Sequence, residues 1–205
     1  MAPIIEDPEG FFANLVPSRD DLLIDLEHEA EREGIPIVGP VVGRLLEILV
    51  RASGARRVLE LGCATGYSAI FLARGLPTEE GKVITVENSA AMAKRAAANF
   101  AAAGLSRSVD ILQGEAATVL DGLDGPMDLI FLDIDKEAYL ETLPACRRLL
   151  RPGGLLVADN TAFPGAAPFV QALSSGEGWQ AVHLFAFLPG HSPERDGLSV
   201  AQRMA

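Results

Sequence analysis

Two short stretches place polar side chains where a buried strand should end. In "FLDIDKEAYL", residues 131–140, an apolar run gives way at once to Asp133, Asp135 and Lys136. Some twenty residues later, "LLVADN" ends in Asp159 and Asn160. A carboxylate after a strand can cap the next helix by accepting its free N–H groups. Capping explains one acid per strand and leaves Lys136 and Asn160 without a role. The other reading joins the two strand ends in one site.

A third stretch points to a ligand. In "ELGCATGYSA", residues 60–69, Gly62 and Gly66 allow a tight turn and a close approach of backbone to a bound group. The spacing is Gly-x-x-x-Gly with Glu60 before it, not the Gly-x-Gly-x-x-Gly of a dinucleotide site. Alone, such a turn serves structure as well as binding. "VITVE" then ends in Glu87, where an acidic side chain can accept bonds from ribose hydroxyls. A Glu before a helix N-terminus is also favoured by the helix dipole. Together, the turn and the acidic second strand indicate a nucleoside ligand, without separating a dinucleotide from S-adenosylmethionine. No Tyr-x-x-x-Lys pair is present, since Phe71 and Leu143 follow Tyr67 and Tyr139 four residues later. No GxxxxGK[ST] occurs either, which argues against nucleotide hydrolysis.

The frame for these residues is an α/β pattern. The chain has 205 residues, 49% of them apolar, which suits one domain over 1–205 with a sizeable core. Leu22, Leu23, Leu26 and Ala30 at helical spacing predict a helix over 18–33, capped by Ser18 and stopped by Gly34 and Pro36. A second helix is expected over about 40–53, with Pro40 in its first turn and Gly54 at its end. From there short apolar strands ("RRVLELG", "GKVITVE", "SVDILQG", "MDLIFLD", "GLLVAD") alternate with helical segments. Pro144 falls inside one of those helices and predicts a kink or early break. Continuous apolar strands alternating with helices give a mainly parallel sheet covered on both faces. The last strands, near 179–187 and 198–203, have no helix between them and are expected to pair antiparallel.

Composition excludes several functions. Lys plus Arg number 17 against 28 Asp plus Glu, a net charge of −11, which argues against gripping a nucleic-acid backbone. A small anionic ligand stays possible, because backbone N–H groups can bind one. The acidic N-terminus "MAPIIEDPEGFF" does not read as a signal peptide, and no run reaches the ~18–20 apolar residues of a membrane span. Cytoplasmic localisation is the expectation. Cys63 and Cys146 make neither a disulfide framework nor a metal set. His28, His183 and His191 are scattered and read as ordinary surface or packed residues. Arg147, Arg148 and Arg151 read as solvent-facing cations at a helix C-terminus.

In order along the chain stand "VLELGCATGYSAIFLA", "VITVE", "QGEA", "DLIFLDIDKEAYLE", "LLRPGGLLVADN" and "DGLSVA". The series, covering about residues 38–203, resembles the cation-dependent O-methyltransferases of the catechol and caffeoyl-CoA type, class I S-adenosyl-L-methionine-dependent enzymes. The resemblance implies a Rossmann-like seven-stranded sheet, mostly parallel with an antiparallel last strand, over residues 55–205. Residues 1–54 would then pack as helices on its cofactor and substrate side.

The resemblance also implies site roles. Glu60, Gly62, Cys63 and Ser68 would line the methionine part of the cofactor, with Val38 closing it from the preceding helix. Glu87 would bind the ribose, Glu115 and Ala116 would lie near the adenine, and Asp133 and Asp135 would face the cofactor. Asp133, Asp159 and Asn160 match the family's three metal ligands, for Mg²⁺ or another divalent cation such as Mn²⁺ or Ca²⁺. The chemistry agrees: a hard cation takes about six oxygens, and three from protein leave room for two vicinal hydroxyls and a water. Lys136 would take the hydroxyl proton, with Asp133 beside it; its plainer role is an ion-pair partner of the acidic loop. The implied partners are a small phenolic substrate and a second copy in a homodimer, with no nucleic acid and no membrane.

The chain departs from that pattern in "LPGHSPERDGLSVA", where "HSPER" reads as an insertion beside the substrate mouth and leaves the 189–196 loop without a role. No aromatic gate over a catechol ring is evident, and Trp179 is expected to pack at a strand start. Two alternatives share the fold. A nucleoside- or RNA-directed methyltransferase is disfavoured by the acidic total and by "FLDIDK" in place of an Asn-Pro-Pro-Tyr motif. A non-catalytic S-adenosylmethionine-binding protein is disfavoured by the intact Asp133, Lys136, Asp159 and Asn160 set.

Overall fold

Alternate residues of the central strands point to opposite faces, and both faces are apolar. A computed structural model describes residues 4–77, 80–176 and 178–205 of the chain. The first three residues of the acidic N-terminal stretch lie outside the described residues. Three helices precede the sheet: α1 (Pro8–Ala13), α2 (Asp21–Glu33) and α3 (Gly39–Ser53). Strands and helices then alternate through β1 (Arg57–Leu61), α4 (Tyr67–Gly75), β2 (Lys82–Glu87), α5 (Ala90–Ala102), β3 (Val109–Gln113), α6 (Ala116–Asp121) and β4 (Met127–Leu132). The chain continues through α7 (Tyr139–Leu149), β5 (Leu150–Ala158), α8 (Ala167–Ser174), β6 (Trp179–Phe187) and β7 (Arg195–Arg203).

The seven strands form one sheet in the order β3-β2-β1-β4-β5-β7-β6. Only β7 runs antiparallel to its neighbours, as expected of the final pair. Val58, Leu129, Phe131 and Val157 point to one face and pack with Val42 and Leu46 of α3, Ile70 and Phe71 of α4 and Phe100 of α5. Leu59, Leu61, Ile130, Leu132 and Leu156 point to the other and pack with Leu120 of α6, Tyr139 and Leu143 of α7 and Phe169 of α8. This period-two division follows from the pleat, and the helical crossovers cover both faces. Trp179 begins β6 and is buried, as expected.

Several local readings need correction. Asp20, not Ser18, caps α2, accepting from Leu23 N–H at 3.1 Å. Gly34 and Gly54 close α2 and α3 in the left-handed conformation, as expected. The helix α1 has no buried residue, so no apolar stripe announced it. Pro144 neither breaks nor shortens α7, which runs through it. The carbonyl that Pro144 leaves unbonded belongs to Leu140, an exposed residue of the first turn, where water can satisfy it. Arg148 and Arg151 do not simply face solvent. Arg148 donates to the carbonyls of Leu120 and Leu123, and Arg151 binds Asp128 at 2.7 Å.

The order reverses between β1 and β4, which lie side by side though β2 and β3 intervene in sequence. Ligands of open parallel sheets bind beyond the strand ends at such a switch point. Parallel register carries Leu61 beside Leu132 and Leu132 beside Ala158, so the residues that follow emerge on one rim.

Candidate active site

A cavity of about 670 Å³ opens at that rim. Its wall comes from the segments after β1 to β5, from Pro36, Ile37 and Val38 before α3, and from Ser192 and Pro193 between β6 and β7. Asp133, Asp135, Lys136, Asp159 and Asn160 all stand on it, so the two strand ends quoted at the outset share one space. So do Val38, Gly62, Cys63, Ser68, Glu87, Glu115 and Ala116.

Glu60 does not reach the wall. It is fully buried beneath the glycine turn, where Ser68 Oγ donates to Oε1 at 2.6 Å and Thr85 Oγ1 to Oε2 at 2.5 Å. Burial pushes its carboxyl up to about 7 against those two hydrogen bonds, and the charges of Asp133 and Glu87 add to the rise. Glu87 reaches the wall but already accepts from Ala64 N–H at 2.7 Å and Ser89 N–H at 2.8 Å. It thereby ties the turn to the end of β2. Burial raises the Cys63 thiol far above its ordinary value, so it is an inert wall residue rather than a nucleophile.

Gly62 joins the β1–α4 turn side of the cavity to the Asp133 side. Its φ is +96°, and a Cβ there would stand 1.9 Å from the Asp133 carbonyl oxygen. Only glycine combines that backbone angle with that approach. The Asp133 amide in turn donates to the Leu61 carbonyl at 2.8 Å, and the Asp159 amide to that of Leu132 at 3.1 Å.

Asp133, Lys136, Asp159 and Asn160 already have protein partners. Lys136 Nζ donates to Asp133 Oδ1 at 2.8 Å and to the Ile134 carbonyl at 2.9 Å, and lies 5.4 Å from the centre of the Tyr139 ring. The ion-pair role considered for Lys136 is therefore present. Asn160 Nδ2 donates to Asp196 Oδ2 at 2.6 Å. An amide oxygen there would repel the carboxylate, so the amide nitrogen faces Asp196 and the Asn160 oxygen is the end left to bind something else. Asp159 faces His191, whose Nε2 lies 2.8 and 3.0 Å from its two oxygens.

That His191 contact was missed in the sequence, where the histidine reads as ordinary. No local signal could have found it, because 32 residues separate the partners. The one hint was the "HSPER" insertion before the last strand. Burial works against a charged His191 ring, but the hydrogen bond and charge of Asp159 outweigh it and hold the imidazole above its usual value. Burial also raises Asp133; Lys136 opposes the rise and Asp159 adds to it.

Among the described residues no three His, Cys, Asp or Glu side chains already converge as a metal cluster. The donors nevertheless suit a hard cation: two carboxylates from adjacent strand ends and one oriented amide oxygen. The charge around them agrees. Glu87, Glu115, Asp133, Asp135, Glu141 and Asp159 line the cavity, and Lys136 is the one Lys or Arg among the residues lining it. Such a wall favours a cationic ligand and disfavours the pyrophosphate of a dinucleotide. A second cavity, lined in part by Glu27, His28 and Glu31 of α2, shares Pro36, Ile37 and Ser192 with the first.

Comparison with known proteins follows the same lines. A profile of the O-methyltransferase family matches residues 20–176. A catechol O-methyltransferase of Niastella koreensis is 38% identical over 168 residues, 79% of this chain and 76% of that protein. Caffeoyl-CoA O-methyltransferase 2 of Zea mays is 33% identical over 130 residues, 60% of this chain and 49% of that protein. The crystal structure of the O-methyltransferase from Bacillus cereus in complex with SAH superposes with a TM-score of 0.85 at 27% identity, covering 95% of this chain and 96% of that one.

Proposed function

The chain belongs to the S-adenosylmethionine-dependent O-methyltransferase family of the catechol and caffeoyl-CoA type, and from that premise we propose that it methylates one hydroxyl of a small catechol-like or activated phenolic acceptor with the help of a divalent cation. The observation that carries this reading is the meeting of Asp133, Asp159 and Asn160 on the rim of an acidic cavity at the sheet's switch point. The names of the two relatives above support the acceptor class.

Asp133, Asp159 and the Asn160 oxygen would hold the cation. When bound, Mg²⁺ or a similar ion supplies Lewis-acid chemistry, lowering the pKa of an acceptor hydroxyl and orienting its neighbour. The protein's own residues do the rest. Gly62, Cys63 and Ser68 form the surface on which the methionine end of the methyl donor rests. Glu87 stands at the end of β2 for the ribose, and Glu115 and Ala116 at the end of β3 for the base. The acidic wall favours the positive sulfonium. Asp135 begins the short 3-10 helix at 136–138 and borders the donor side. Lys136 Nζ, 2.8 Å from Asp133, would take the acceptor proton as a free amine, one that has first released its own third proton, while the acceptor oxygen attacks the methyl group and the thioether leaves. Val38, at the start of α3, closes the donor side, so two reactants are held in line, which is the main source of rate in such transfers.

The test uses S-adenosylmethionine and a panel of vicinal diphenols and monophenols, with Mg²⁺ or with excess chelator. Methyl transfer to a diphenol is expected with the ion and lost with the chelator. Transfer that survives full chelation would remove the cation from the mechanism while keeping the acceptor class. A set of acceptors in which monophenols outperform diphenols would overturn the vicinal-hydroxyl reading.

A further inference from the structure

Asp196 is a buried carboxylate that the chemistry above does not use. It is the second residue of β7 and is fully buried. Its hydrogen-bond partners are all N–H groups. Oδ2 accepts from Asn160 Nδ2 at 2.6 Å, and Oδ1 accepts from the backbone of Ala162 at 3.3 Å and of Gly197 at 2.5 Å. Other contacts hold the start of β7 against the turn after β5. Thr161 N–H donates to the Gly197 carbonyl at 2.9 Å. A Cβ at Gly197 would stand 2.6 Å from the Ala162 nitrogen. Asn160 has a φ of +48°, a left-handed position in the turn on which β7 closes.

Both oxygens of Asp196 meet donors, and only a carboxylate can accept at both ends. The backbone N–H groups at Oδ1 cannot turn round. The Asn160 carboxamide at Oδ2 can, and its direction decides whether oxygen or nitrogen is left for the cavity. Asp196 settles that choice by taking the nitrogen. The Ser192 carbonyl, 3.3 Å from the same nitrogen, favours the same direction.

We propose that Asp196 is a positioning residue of the cation site: it fixes the Asn160 carboxamide with its oxygen free for the ion, and it has to be a carboxylate to do so. The proposal rests on the cation reading given under the proposed function. Asp196 acts through Asn160 and does not itself touch the ion. This gives the 189–196 loop a role, because it ends in the residue that orients a donor at the end of β5. The logic predicts what an isosteric change does. In Asp196→Asn the new amide has one oxygen, which the backbone N–H groups claim. Its NH₂ group then faces Asn160, whose own oxygen must turn to it and away from the ion. Adding Asn160→Asp reverses the fault, since a carboxylate at 160 accepts from that NH₂ with one oxygen and keeps the other for the ion.

The test measures ion binding rather than turnover. Manganese(II) chloride is titrated by calorimetry into the full chain saturated with S-adenosylhomocysteine, for the natural protein, Asp196→Asn, Asn160→Asp and the double variant. Affinity is expected to fall about 10–100-fold in Asp196→Asn and to be recovered in the double variant, which keeps the net charge of the natural protein. Asn160→Asp alone sets two carboxylates against each other and is expected to bind Mn²⁺ no more tightly than the natural protein. Unchanged affinity in Asp196→Asn, or a loss that the double variant does not recover, would overturn the proposal. So would an equal gain from Asn160→Asp in both backgrounds, which is the mark of a charge effect alone. The natural protein gives a reading that survives a variant's failure to fold. With magnesium chloride bound, the Asn160 NH₂ signal in nuclear magnetic resonance should stay protected from exchange with water, and loss of that protection would equally count against the proposal. No binding of Mn²⁺ to the natural protein would overturn the cation reading itself, whereas binding that ignores Asp196 would overturn only its positioning role.

Discussion

The cavity has two halves built in different ways. At the β1 and β2 ends the polar groups are bound within one strand–helix–strand unit, β1-α4-β2 and the residues just after it. Gly62 N–H donates to the Val86 carbonyl, Ala64 and Ser89 N–H to Glu87, and Ser68 and Thr85 to Glu60. At the β4 and β5 ends the partners of Asp159 and Asn160 are His191 and Asp196, brought in from 32 and 36 residues away. The first half is a backbone surface set by strand register and glycine. The second is a cluster of opposed side chains that exists only once β6 and β7 have docked. Difference in construction therefore matches difference in expected use: shared donor-binding chemistry on one side, individual acceptor and ion chemistry on the other.

The largest effect should come from the residue that touches both halves. Gly62→Ala puts a Cβ against the Asp133 carbonyl at a positive φ. It is expected to cost more than about 2 kcal/mol of stability and to abolish S-adenosylhomocysteine binding. Urea denaturation and calorimetry measure the two effects, and a variant that keeps both properties would show that the halves are not coupled there. Next comes Lys136→Ala, confined to the acceptor half. Methyl transfer should fall about 10²–10⁴-fold while S-adenosylhomocysteine affinity stays near that of the natural protein. Near-normal transfer would leave Lys136 as the ion-pair partner of Asp133 and nothing more.

The smallest effect isolates the cofactor half through pH. Glu60 in the fold has a pKa of about 7, above its ordinary 4.5. Between those values the folded protein keeps a proton that the unfolded chain releases, so Glu60 makes stability fall as pH rises from about 4.5 to about 7. Glu60→Gln keeps a partner for Ser68 and Thr85 and has no charge to bury, so that part of the slope should vanish. Denaturation at a series of pH values checks this, and an unchanged slope would show that Glu60 titrates like an exposed carboxyl.

Much of this was legible from the chain. Alternating strands and helices gave the parallel sheet, because each strand needed apolar cover on both faces. The glycine turn, Glu87 and the residues after β4 and β5 could be placed because strand ends in a parallel sheet share one rim. What escaped did so for physical reasons. Asp20 outcompetes Ser18 as the α2 cap, and both are good caps two residues apart in sequence. Pro144 sits where its missing hydrogen bond belongs to an exposed first turn, so the helix tolerates it. Arg148 found carbonyl partners 25 and 28 residues away that no local pattern reveals.

By itself, then, the sequence determined the layered α/β architecture, the cavity's location and its acidic character, because periodicity, glycine and charge are local properties of the chain. Tertiary structure alone decided how the polar groups are paired. It buried Glu60 behind the wall instead of on it and drove His191 against Asp159. Those outcomes depend on a few ångströms of approach between segments distant in sequence, and distance in space is set only when the last strands dock on β5.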